Sequence, residues 1–302
     1  MPATIVTIDE SHAGQRIDNF LATALKGVPH SRIYKALRKG EVRVNKGRIQ
    51  AVYRLKMGDQ VRLPPLHIAE VVVTKPSKGL QDCLTKSVIF EDSNIIVVNK
   101  PAGLAVHGGS DVPCGLIEAF RFIRPDIKDL ELVHRLDRDT SGCLLLAKNR
   151  MTLLALQALQ KTHSIQKYYV LLVKGRWDLG KKHIKLALTK NKLQAGERVV
   201  VSDADGKPSE TIFEPLKFFH NTTLLRAKLI TGRTHQIRVH AADVGFPLVG
   251  DGKYGDWEFN RHFSEKNHDK RLFLHAEKLS FTLGNKKYSF EAPNTFTSEP
   301  RA

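Results

Sequence analysis

The chain is short of the features that mark several common protein classes. It has three cysteines, Cys83, Cys114 and Cys143, in 302 residues. They are odd in number and about thirty residues apart, which suggests neither a disulfide framework nor a zinc site. A reducing compartment, the cytoplasm, fits best. No apolar run approaches the ~20 residues that span a bilayer, so no membrane partner is expected. Met1-Pro2-Ala3-Thr4 lacks the basic and apolar stretches of a secretory leader, and none is expected. Internal repeats and low-complexity tracts are missing. So is a glycine-rich nucleotide fingerprint: Gly232-Arg233-Thr234 is not a P-loop. His235 and His240 stand five apart with no acid between them, off the spacing of a helical zinc pair. No metal and no cofactor are therefore expected.

Acidic residues are also scarce. Asp and Glu number 31 against 48 Lys and Arg, for a net charge of +17 and a pI near 9.8. That surplus points to a polyanionic partner, nucleic acid or a membrane surface, and only the first has support. Hydrophobic residues make up 41%, enough for a core, and the length allows one large domain or two ordinary ones.

The basic charge is concentrated near the start. Ile17, Phe20, Leu21, Ala24 and Leu25 repeat as an amphipathic helix, stopped by Gly27 and Pro29. Ser31 can cap a second helix from Arg32 to Lys39, closed by Gly40. Its inner side is Ile33, Ala36 and Leu37; its outer side carries Arg32, Lys35, Arg38 and Lys39. Arg43 alternates with Val42 and Val44, Asn45-Lys46-Gly47 turns, and a strand follows at Val61–Leu63. From Arg16 to Arg62 there are twelve Lys or Arg and three Asp or Glu. Arg32, Lys35, Arg38, Lys39 and Arg43 are the candidate phosphate contacts. The expected division is a module over 1–75 with its core at about 15–63, a linker over 76–87, and a second domain over 88–302. Val71–Val73 reads as a short strand within the breaker-rich segment around Lys75-Pro76-Ser77-Lys78-Gly79.

The second domain should open with a hairpin, Ile89-Phe90 against Ile95–Val98. Helices are expected at Leu116–Ile123 and Met151–Leu159, and strands at Cys143–Ala147 and Lys167–Gly175. Residues 183–230 alternate in short stretches, as antiparallel strands do. Asp203-Ala204-Asp205-Gly206 reads as a hairpin turn between Val199–Val201 and Thr211–Phe213. The fold class is α+β, a small α/β module plus a mixed, mainly antiparallel sheet with flanking helices.

One stretch organises the rest: His134-Arg135-Leu136-Asp137-Arg138-Asp139-Thr140-Ser141-Gly142. Two carboxylates, two guanidiniums, an imidazole and two hydroxyls fall in nine residues, just before an apolar strand. A solvated ion-pair loop is the bland account of such a run. A reactive loop on a rigid strand is the sharper one. H-R-L-D-x-x-T-S-G resembles the catalytic motif of the RluA-type pseudouridine synthases, which isomerise uridine in RNA. Gly232-Arg233-Thr234-His235-Gln236-Ile237-Arg238-Val239-His240 resembles the last core motif of that family. Lys167-Tyr168-Tyr169 resembles its K-x-Y segment. Gln15-Arg16-Ile17-Asp18, Ser31-Arg32-Ile33 and Arg38 to Asn45 are similar to the S4 RNA-binding module. The layout is most similar to the bacterial synthases that act on large-subunit (23S) ribosomal RNA.

The resemblance implies a role for each matching residue. Asp137 is the catalytic carboxylate, Tyr169 lies against the target base, Arg238 is the cation beside the carboxylate, and Arg135 fills the stack when the uridine leaves it. Chemistry alone could equally choose Asp139. The isomerisation breaks the N-glycosidic bond, turns the uracil and joins C5 to C1′, consuming neither electrons, phosphoryl groups nor water. One carboxylate can attack the sugar or take a sugar proton. The expected partner is ribosomal RNA, 23S or a large-subunit precursor, bound by a monomer. Two other readings remain at this level: a non-catalytic S4-type assembly factor, and a hydrolase with an Asp nucleophile.

Overall fold

The computed structural model describes residues 4–25, 28, 30–64, 75–109, 112, 114–194 and 197–294. The chain divides into two compact units, Met1–Thr74 and Lys75–Ala302. The expected strand at Val71–Val73 and the helix stop at Gly27 and Pro29 lie outside the described residues.

In the first unit a strand at Thr4–Thr7 (β1) leads to helices at Ile17–Ala24 (α1) and His30–Lys39 (α2), then strands at Arg43–Val44 (β2) and Gln60–Leu63 (β3). The strands form an antiparallel sheet in the order β1-β3-β2. Ile17, Phe20 and Leu21 of α1 pack with Ile33, Ala36 and Leu37 of α2 and with Val44 and Val61. The helical spacing of these apolar residues thus turns one stripe of each helix into the core. Helix α2 starts at His30, so Ser31 lies inside its first turn rather than capping it.

The second unit opens with a helix at Lys78–Lys86 (α3), where a linker was expected. The Pro-Ser-Lys-Gly composition that reads as a breaker is the helix start. Ser77 accepts the N–H of Leu80 at 3.2 Å, and Leu84 on the inner helix face is fully buried. Strands follow at Val88–Glu91 (β4) and Ile95–Lys100 (β5), a helix at Leu116–Ile123 (α4), and strands at Glu131–Leu132 (β6) and Ser141–Ala147 (β7). A helix at Arg150–Lys161 (α5) leads to four strands: Gln166–Lys174 (β8), Lys182–Gln194 (β9), Glu197–Ser202 (β10) and Lys207–Phe218 (β11). The chain ends with Thr222–Leu229 (β12), helices at Gln236–Asp243 (α6) and Trp257–Asn267 (α7), and strands at Leu274–Leu283 (β13) and Lys286–Glu291 (β14).

Eleven strands form one sheet, with the path β10-β9-β11-β12-β8-β13-β7-β5-β4; β14 joins β13 and β6 joins β7. The described pairings are antiparallel except β13 with β7. Ile95–Val98 and Leu144–Ala147 are 0% exposed, so β5 and β7 are covered on both faces. Each such aliphatic side chain contributes roughly 1.5–3 kcal/mol, which makes this the rigid part of the unit.

Asp203–Gly206 does not close a hairpin between neighbours. β10 and β11 lie on opposite sides of β9, and Ser202 and Lys207 both pair with Leu188. The chain crosses β9 at that point. A Cβ on Gly206 would come within 2.6 Å of the Leu188 backbone, so the crossing needs glycine.

Candidate active site

The loop from Val133 to Thr140 runs into β7 and is tied from three sides. Lys100, at the end of β5, is 0% exposed. Its Nζ donates to the carbonyls of Pro101 and Leu104 at 2.8 Å and to that of Arg138 at 2.9 Å. Burial pushes its pKa down to about 8, opposed by the charges of Asp139 and Asp137. Three acceptors are what a buried ammonium requires. Within the loop, Thr140 N–H donates to the carbonyl of Asp137 at 3.2 Å. Ser141 Oγ is 2.8 Å from His275 Nδ1 on β13. Gly142 has φ +109, and a Cβ there would lie 2.3 Å from the carbonyl oxygen of Ala276, so only glycine lets β7 approach β13. His134 is a structural part of this loop. Its Nε2 accepts the N–H of Leu145 at 3.3 Å, and burial holds its pKa well below the ordinary value.

The loop delivers Asp137 into a pocket of about 260 Å³ whose ionisable lining comes from three segments. Arg135 and Asp137 come from the loop, Lys167 and Tyr169 from β8, and Arg233, His235 and Arg238 from the start of α6. Asp137 keeps 22% of its side chain exposed. Asp139 is not on the pocket wall; it pairs with the Nε of Arg138 at 3.0 Å on the surface. Tyr169 is 7% exposed, and burial, with the charge of Asp137, pushes its phenol pKa up, so the hydroxyl keeps its proton. Tyr168 leaves the other face of β8, where Lys228 lies 5.7 Å from its ring centroid. Strand alternation therefore gives the two tyrosines different surroundings. Arg135 lines the pocket and is exposed.

Arg238 reaches Asp137 from a fixed seat. Its Nε and Nη2 each donate to Asp251 at 2.7 Å, leaving Nη1 3.8 Å from Asp137 Oδ2. Burial opposes the guanidinium charge, but the Asp251 pair raises its pKa; burial likewise opposes the Asp251 carboxylate, and Arg238 lowers it. The ring of Tyr254 lies 5.0 Å from the guanidinium.

His235 precedes α6 in a left-handed conformation, φ 53. Such a backbone costs about 1–3 kcal/mol away from glycine and clusters at working sites. Tyr254 holds the ring: its oxygen accepts the N–H of Val200 at 3.0 Å and lies 2.7 Å from His235 Nδ1. When the phenol O–H donates its hydrogen bond to Nδ1, the imidazole hydrogen sits on Nε2, 3.8 Å from Asp137 Oδ2. Burial lowers the His235 pKa, and Asp137 opposes that shift. Gln236, the first residue of α6, ties the turn before the helix to β11, accepting from Thr231 Oγ1 and Arg233 N–H and donating to the Glu210 carbonyl and Thr211 Oγ1.

Sequence reasoning named Arg135, Asp137, Tyr169 and Arg238, and all four line this pocket. It gave no site role to Lys167 and His235, which also line the pocket, or to Lys100, Asp251 and Tyr254, which hold the Asp137 loop, Arg238 and His235. Asp251 stands between two glycines, a pattern shared by many turns, and only the fold aims it at Arg238. Among the described residues, no three His, Cys, Asp or Glu side chains gather as metal ligands. No described helix is long and apolar enough to cross a membrane.

In the first unit the five candidate phosphate contacts differ. Lys35, Arg38 and Lys39 are exposed on α2 and make no ion pair among the described residues. Arg32 is paired with Glu41 at 2.7 Å. Arg43 donates to the carbonyls of Gly40 and Lys46 at 3.2 and 3.4 Å, closing the end of α2.

Comparison with known proteins agrees with both units. The RNA pseudouridylate synthase family profile matches residues 94–243, and the S4 domain profile matches residues 15–61. The chain is 51% identical over 281 residues to the ribosomal large subunit pseudouridine synthase C of Escherichia coli (strain K12), covering 92% of this chain and 88% of that protein. It is 50% identical over 279 residues to the protein of the same name from Haemophilus influenzae, covering 92% and 86%. Among solved structures it is similar to human RNA pseudouridylate synthase domain containing 1. That match has a TM-score of 0.61 at 24% identity and covers 73% of this chain and 86% of the other; it bears on the fold alone.

Proposed function

This chain belongs to the RNA pseudouridine synthase family of isomerases, and we propose that its substrate is large-subunit (23S) ribosomal RNA, in which it converts specific uridines to pseudouridine. The observation that carries the reading is one pocket holding Asp137, Tyr169 and Arg238 from three separate segments. Asp137 supplies the carboxylate, attacking the sugar or taking a sugar proton. Arg238, held by Asp251, keeps a cation 3.8 Å from it. Tyr169 packs against the base, a stacking contact of about 1–3 kcal/mol. The target uridine must leave the stack to reach this pocket, and Arg135 fills the gap; a planar cation that stacks offsets part of the few kcal/mol that extrusion costs.

The first unit contributes phosphate contacts through Lys35, Arg38 and Lys39, with Arg32 and Arg43 shaping that face. The protein acts in the cytoplasm as a monomer, on free ribosomal RNA or an assembling subunit. The names of its relatives and the +17 charge support this partner. The test is a map of pseudouridine in 23S RNA from cells with and without this protein, and with its Asp137→Asn variant. Defined sites should lose modification without the protein and stay unmodified with the variant. Unchanged sites in the deletion would refute the substrate.

A further inference from the structure

Lys167 stands on β8 two residues before Tyr169, so both side chains leave the same face of the sheet. Both line the pocket that holds Asp137. The residues beside Lys167 in the sheet are Leu229 on β12 and Leu279 on β13, and neither can partner an ammonium. Among the described residues its Nζ has no hydrogen bond and no ion pair. Burial alone pushes its pKa down to about 8, with no acidic group opposing the shift. Lys100 shows the contrast: its burial is met by three carbonyls and by the charges of Asp137 and Asp139.

The remaining ionisable groups of the pocket are otherwise engaged. Arg238 is committed to Asp251, and Arg233 Nε donates to the Pro208 carbonyl at 3.1 Å. His134 and His235 are pushed toward their neutral forms by burial, and the charge of Lys167 adds to that effect on His134. Tyr169 keeps its proton, Arg135 is exposed, and Asp137 faces His235 and Arg238. Lys167 is half-buried in the pocket wall, and no group of the described residues there accepts from its ammonium. A ligand that fills the pocket displaces the water around that ammonium and must itself supply the acceptor.

We propose that Lys167 is a catalytic residue: its ammonium hydrogen-bonds a carbonyl oxygen of the target uracil and stabilises the negative charge that gathers there as the C1′–N1 bond breaks. This rests on the isomerase reading of the pocket. When that bond breaks, its electron pair leaves on the uracil ring and spreads onto the carbonyl oxygens. Asp137 answers the change at the sugar. Lys167 keeps its proton throughout. When C5 later bonds to C1′, the proton lost from C5 is matched by the one gained at N1, so the net change is isomerisation with no co-reactant. Donors aimed at developing charge in a site that excludes water are among the larger contributions to catalysis.

The active form is the ammonium, and its lowered pKa sets the direction. Lys167 is charged below about pH 8, so kcat/KM should fall as pH rises through that value. The experiment compares the full-length protein with Lys167→Met on a stem-loop containing the target uridine. The variant should lose on the order of 10²-fold in kcat. Its thermal midpoint should stay level or rise, because an unpaired cation has been removed. Its residual activity should lack the fall near pH 8 that the native protein shows. A native rate in Lys167→Met, a lowered midpoint accompanying the loss, or a fall near pH 8 that persists in the variant would each overturn the proposal. If the native protein makes no pseudouridine in this assay, the isomerase reading fails instead.

Discussion

Asp139 and Arg138 bind each other at the surface, and that pairing separates two carboxylates that stand two residues apart. Asp137 turns into the pocket, 3.8 Å from both His235 Nε2 and Arg238 Nη1. Exposed pairs like Arg138–Asp139 contribute about 0–1 kcal/mol, so removing one alters little. Asp137→Asn should abolish pseudouridine formation and leave RNA affinity within about threefold, since shape is kept and the reacting charge is removed. Asp139→Asn should keep most of the activity. Turnover and filter binding on one stem-loop would check both, and an active Asp137→Asn with an inactive Asp139→Asn would reverse the assignment.

The helix α3 and strand β7 decide how the site is held. β7 carries the loop, and Gly142 lets it meet β13 along its first residues. Helix α3 replaces what composition describes as a linker, and it packs on α4 through Leu84, which is 0% exposed. Leu84→Ala should lower unfolding free energy by about 2–5 kcal/mol, measured by urea denaturation. For the same reason a fragment that begins at Val88 strips a face from the core, while one that begins at Lys75 keeps it. A Leu84→Ala protein as stable as the native one would mean that α3 is dispensable.

The whole molecule divides its labour between a basic unit without the pocket and a unit that contains it. Residues 75–302 alone should still isomerise uridine, with weaker binding and poorer choice of site. Phosphate contacts release counterions, so the full chain should show the steeper fall of affinity with salt. Replacing Lys35, Arg38 and Lys39 with Gln should reduce the log–log slope by roughly 0.7–0.9 for each phosphate that is no longer neutralised. Arg32 and Arg43, paired with Glu41 and with backbone carbonyls, should contribute less. Binding titrations across a salt series would check this, and equal slopes for the native chain and the triple variant would remove α2 from the RNA interface.

Local pattern was enough to read most elements of this protein. The spacing of Ile17, Phe20 and Leu21, the apolar run at Cys143–Ala147 and the motif around Asp137 are properties of short segments, and short segments carry them whatever lies nearby. Contacts between distant segments escaped that reading. β10 and β11 flank β9 because the chain crosses at Leu188, which no turn composition reports. Asp139 and Asp137 have the same chemistry, and only their surroundings differ. Asp251 gains its role from Arg238, thirteen residues earlier, and Lys100 from Arg138, thirty-eight residues later. The sequence by itself thus determined the elements and the reacting residue types. Tertiary structure alone decided which side chains were buried and which were left without partners, because burial and pairing belong to contacts between segments.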